Sequence, residues 1–216
     1  MADKARYSIR EEIASSVTHG IGILLSLAAL IIMLVYAVRY GTVSHIIGAA
    51  VFGCSLIITY TSSTLYHSFQ KAKLKALFRT FDHISIFILI AATYTPLTLV
   101  NLRGPWGWSI FGTVWGLAFF GIVIESTSLR RFRLASILLY IGMGWIIIIA
   151  LKPLLARVQT GGLILWLTGG LFYSLGCIFY AWRRLPYNHA IWHLFVLAGS
   201  ASHFFAILYY VLPVKI

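Results

Sequence analysis

Seven long apolar runs, separated by short connections, leave this chain few ways to fold. They cover residues 17–38, 43–66, 83–100, 106–125, 134–151, 161–182 and 190–212. The hydrocarbon core of a bilayer is about 30 Å thick and takes roughly 20 residues of helix to cross. In lipid, only a helix or a closed barrel satisfies its own backbone hydrogen bonds, so each run reads as one membrane-spanning helix. Seven crossings use about 140 residues, and a chain of 216 then has no room for a separate soluble catalytic domain. The expected fold is all-α, a single seven-helix membrane domain over residues 1–216, and any chemistry must come from the helices and their ends.

Charge agrees with this and adds orientation. Only 10% of residues are charged, against about 25% in a soluble domain. The net charge of +12 would suit a nucleic-acid partner, but the basic residues come in small groups between apolar runs rather than along one face, which argues against one. The groups are Lys4, Arg6 and Arg10; Lys71, Lys73, Lys75 and Arg79; Arg130, Arg131 and Arg133; and Arg183 and Arg184. All fall on one side of the membrane, whereas the other side holds only Arg39, Arg103, Lys152, Arg157 and Lys215. By the positive-inside rule, the N-terminus is cytoplasmic and the C-terminus outside. The first run is too long for a signal-peptide core and is expected to be a retained crossing. Pro96 falls inside the third run and is expected to kink it, while Cys54 and Cys177 read as small packing residues.

With orientation set, the unusual polar residues acquire depths. The second run ends in Ser63-Thr-Leu-Tyr-His67, the third begins near Phe81-Asp82-His83, and the seventh near His189-Ala-Ile-Trp-His193. Three helices thus bring His67, Asp82, His189 and His193 to one level by the cytoplasmic boundary. The acidic residues Asp3, Glu11, Glu12, Asp82 and Glu125 all map to that side. Ionisable groups at membrane depth are costly and mark function by default. His189 and His193, four apart, share a helix face and can reach one ion, and His67 would complete a three-histidine set. Three protein ligands leave a fourth position open, which separates a catalytic metal site from a closed structural one. Asp82 would orient a ligand imidazole or act as general base toward water, and Ser63, one turn from His67, offers a hydroxyl to Asp82, water or substrate.

Other polar residues read as structural. His203 lies about 15 Å further along its helix than His193, too far for the same ion, and is expected to pack or line a cavity. His19 and His45 read as lone histidines near span ends, and His83, adjacent to Asp82, is expected to point elsewhere on the helix. Glu12, more than a turn ahead of the first run, is expected to pair at the surface.

Ser63 with His67, Phe81-Asp82-His83, and His189 with His193, together with Glu11-Glu12 and Thr18-His19-Gly20, resemble the hemolysin III family. This is the bacterial branch of the progestin and adipoQ receptor family, which includes the adiponectin receptors. The resemblance covers nearly the whole chain and implies a seven-helix bundle in a bacterial cell (inner) membrane. It further implies zinc on His67, His189 and His193, with Asp82 and Ser63 beside it. A distant similarity to the alkaline ceramidases implies a zinc-dependent hydrolase acting on a membrane lipid amide or ester. Two other functions fit the family: a non-enzymatic membrane sensor or homeostasis factor with structural zinc, and a lytic or channel-forming protein.

Overall fold

The structure is a computed structural model and describes residues 7–131, 133–182 and 184–213. The described residues form helices α1 (Ile9–Tyr40), α2 (Val43–Ser68), α3 (Ala72–Pro96), α4 (Pro105–Ser126), α5 (Arg133–Trp145), α6 (Leu151–Arg157), α7 (Thr160–Ala181) and α8 (Asn188–Tyr210), with no strand among them. A π-helical turn, Leu97–Asn101, continues α3, and a 3-10 segment, Ile146–Ala150, joins α5 to α6. Among the described residues, seven stretches are long and apolar enough to cross a membrane, α5 and α6 together supplying one of them. The seven-span, all-α expectation therefore holds.

Two helices start well ahead of their apolar runs. The Ser8 hydroxyl accepts a hydrogen bond from the Glu11 amide while the Glu11 carboxylate accepts from the Ser8 amide at 2.8 Å, a capping box that starts α1 at Ile9 rather than at residue 17. At 32 residues, α1 is about 48 Å long and must extend past a hydrocarbon layer of about 30 Å. Helix α3 likewise begins at Ala72, well before residue 83. Counting apolar residues measures the thickness of the lipid, not the length of the helix. Glu12, His19 and Asp82, expected near or beyond span ends, accordingly sit inside helices.

Pro96 has no amide hydrogen, and the chain adjusts by widening the next turn, where the Leu102 amide donates to the Leu97 carbonyl at 3.0 Å. Gly48 of α2 packs directly on this point; a Cβ there would lie 2.8 Å from the Pro96 Cα, so only glycine allows the approach.

Around the bundle, α1 packs on α2 and α8, and the neighbours then run α2, α3, α4, α5, α7 and back to α8, closing a ring. One apolar core joins α1, α2 and α8 through Met33, Phe52, Tyr60 and Ile207. A second joins α3, α4 and α5 through Phe87, Val114 and Met143. The outside is apolar as well, with Leu24, Ile31, Val38 and Leu167 exposed, whereas Ser26, Thr59, Ser63 and His67 are buried. An apolar surface this extensive needs lipid rather than water around it.

Candidate metal centre

His67 occupies the last turn of α2, and His189 and His193 the first two turns of α8. The three are buried, and one nitrogen from each lies within 4.8 Å of the others, a group that could hold one metal ion. Donors on a tetrahedral ion with bonds of about 2.1 Å stand roughly 3.4 Å apart, so small ring movements close the set. The Nε2 atoms of His67 and His193 are buried without a hydrogen-bond partner. Orphaned buried nitrogens are costly, and a shared cation would satisfy them.

What makes these nitrogens available is decided on the other edge of each ring. His67 Nδ1 donates to Glu12 Oε2 at 2.6 Å, and Glu12 Oε1 pairs with Lys75 Nζ of α3 at 2.9 Å. His193 Nδ1 donates to the Ser15 carbonyl at 3.1 Å, and its contact with Thr18 Oγ1 is 3.3 Å. His189 Nδ1 hydrogen-bonds the Tyr7 hydroxyl at 3.3 Å. A carbonyl or carboxylate only accepts, so Nδ1 carries the hydrogen on His67 and His193 and Nε2 keeps its lone pair. That is the tautomer a metal ligand requires.

Every one of these partners except Lys75 comes from α1 or the residue just before its cap. This bears on three expectations. Glu12 does not pair at the surface: it is 5% exposed and holds His67. The carboxylate bonded to His67 is that of Glu12 rather than that of Asp82. His19 is no lone residue near a span end either, since its ring stacks on His193 with centroids 3.5 Å apart. A readable signal existed. Glu12, Ser15, His19, Gly22 and Ser26 recur at helical spacing as a buried polar and small stripe on an otherwise apolar helix.

Asp82 lies about three turns into α3, 3% exposed. Its carboxylate is 3.6 Å from His83 Nδ1 and faces His67 and the Ser63 hydroxyl, with which it closes no hydrogen bond of ordinary length. His83 thus faces the same region as Asp82 rather than away from it, with its Nδ1 also bonded to the Arg79 carbonyl at 2.8 Å. Asp82 lines two cavities at once. One, of about 400 Å³, is polar on the side where His189, Glu125 and Arg79 line it. The other, of about 110 Å³, is mostly apolar and reaches Tyr173 and His203 between the helices. His203 lines that second cavity and donates from Nε2 to the Trp166 carbonyl at 3.2 Å, outside the histidine group. His45 caps α2, accepting from the Thr42 amide at 3.0 Å. Asp82 thus stands in the wall shared by the two cavities, and His189 of the histidine group lines the larger one.

The profile of a family described as "Haemolysin-III related" matches residues 7–204. Over 205 residues, 95% of this chain and 94% of the relative, the sequence is 50% identical to "Hemolysin-3" of Bacillus cereus. It is 46% identical to the "Hemolysin-3 homolog" of Bacillus subtilis (strain 168) over 208 residues, 96% and 98% of the two chains. A human protein, "Monocyte to macrophage differentiation factor", is 30% identical over 170 residues, covering 74% of this chain and 69% of that one.

Proposed function

Because the chain belongs to the haemolysin-III related family, we propose that it is a multi-pass protein of the bacterial cell (inner) membrane, N-terminus cytoplasmic, that holds one zinc ion on His67, His189 and His193. We propose further that it hydrolyses a membrane lipid amide or ester. The observation that carries this reading is the hydrogen bonding of the rings: Nδ1 of His67 lies 2.6 Å from Glu12 Oε2 and Nδ1 of His193 lies 3.1 Å from the Ser15 carbonyl, which leaves both buried Nε2 atoms without a partner and available to an ion. Neutral imidazoles in a set of three with an open position suit a catalytic zinc ion. When bound, the ion supplies Lewis acidity toward an acyl carbonyl.

The chain's own residues do the rest. The smaller cavity takes the acyl chain, while water enters from the larger one, whose lining includes Arg79, Glu125 and His189. Asp82, in the wall of both, removes a proton from the water that attacks the acyl carbon and returns it to the leaving amine or alcohol as the C–N or C–O bond breaks. The Ser63 hydroxyl, buried and without a hydrogen-bond partner of its own, donates to the substrate carbonyl.

Metal analysis of protein purified in neutral detergent is the direct test. About one zinc per chain is expected, since a single three-histidine site holds one ion; a chain that binds no zinc when zinc is supplied sinks the reading. Glu12→Gln keeps the side chain's shape but weakens its grip on His67. Such a change in a partner behind a ligand is expected to weaken zinc affinity by about 10- to 100-fold, measured by competition with a chelator of known strength.

A further inference from the structure

Of the described acidic side chains, three are buried: Glu12, Asp82 and Glu125. Glu12 pairs with Lys75 and His67, and Asp82 stands 3.6 Å from His83. Glu125, near the end of α4 and 6% exposed, differs. Its Oε1 accepts a hydrogen bond from the Ser136 hydroxyl at 2.6 Å, and among the described residues no basic side chain pairs with it. Among the described side chains this buried carboxylate therefore has no cation paired with it, and a carboxylate taken out of water without one is expensive.

The surroundings say what would complete it. Glu125 lines the cavity of about 400 Å³ that also reaches Asp82 and His189, and Tyr140, Tyr180 and Trp192 line the same space. Tyr180 and Trp192 stand with ring centroids 5.1 Å apart. Arg79 and His83 line this cavity too, but a buried carboxylate that shares the space with aromatic rings attracts an ammonium by direct charge, and the negative ring faces add to that. It repels an anion and gives a neutral alcohol only one hydrogen bond.

We infer that Glu125, with Tyr140, Tyr180 and Trp192, forms a subsite for a protonated amine, and that the lipid acted on carries one in its polar part. As a statement about substrate this rests on the hydrolase reading, but amine binding is measured apart from turnover. The headgroup would lie in the larger cavity, beside Glu125, and leave the smaller one to the chain, with the bond to be broken beside Asp82, which lines both.

The test titrates purified, zinc-loaded protein in neutral detergent with octylammonium, octanol and octanoate, reading tryptophan fluorescence. Wild type is expected to bind octylammonium about tenfold or more tighter than octanol, and octanoate weakest. In Glu125→Gln the preference for octylammonium over octanol is expected to shrink to about twofold or less. Equal binding of amine and alcohol by wild type, tighter binding of octanoate, or a preference retained in Glu125→Gln overturns the inference. The three-ligand series on the unaltered chain needs no variant, so it decides the matter even where Glu125→Gln fails to fold. A chain that takes up no zinc yet prefers the amine upholds this subsite while sinking the metal reading, and a zinc-loaded chain without the preference does the opposite.

Discussion

His193→Ala is expected to cut bound zinc from about one ion per chain to nearly none, the largest single effect of any substitution in the site. His193 is fully buried, and its Nε2 has no other partner. Losing one of three protein ligands leaves too few to hold the ion against water. The same change removes the ring on which His19 stacks and the donor to the Ser15 carbonyl, so α1 loosens from α8. Bound metal stabilises only the folded state, by about 2.7 kcal/mol when free ligand stands at 100 times its dissociation constant. Added zinc should therefore raise the thermal midpoint of wild type and leave that of His193→Ala where it was. His203→Ala is the matched control. That histidine is also buried on α8 but lies outside the group, and zinc content should stay near one per chain. Unchanged zinc in His193→Ala removes the foundation of the proposal.

Asp82→Asn separates an enzyme from a protein whose zinc only holds helices together. The amide matches the carboxylate in shape and cannot take a proton from water. Loss of a general base typically costs about 10²- to 10⁴-fold in rate, so release of fatty acid from a lipid amide or ester should fall by that much. Zinc content should not change, because Asp82 is outside the three-histidine group and the ligand imidazoles are oriented from α1 instead. Undiminished turnover in this variant, with metal still bound, would mean that Asp82 has no part in the chemistry.

Parts of the site were legible because helical spacing maps directly onto faces. His189 and His193, four apart, had to share a side of α8, and the positive-inside rule had to bring His67 to the same end of the bundle. Distance ruled His203 out of the group in the same way. The rest depended on which residues are hidden among apolar neighbours. Glu12 and His19 looked peripheral because apolar counting begins α1 at residue 17, whereas a Ser8 cap begins it at Ile9. Asp82 reads as a partner of an imidazole or of water because it lies at the depth of the histidines, but depth says nothing of direction. In the bundle, Glu12 reaches Nδ1 first.

By itself the sequence determined the number and kind of elements, the way they are strung, and the end at which polar chemistry collects. The reason is that lipid offers the backbone no alternative to the helix and charges a high cost for ionisable side chains. Only the tertiary structure decided that α1 lies between α2 and α8 with its polar stripe inward. That packing fixes which nitrogen of His67 and His193 carries the hydrogen, and so whether these imidazoles can bind an ion at all. A tautomer is set by the atom opposite the ring, and that atom comes from a helix far away in the chain.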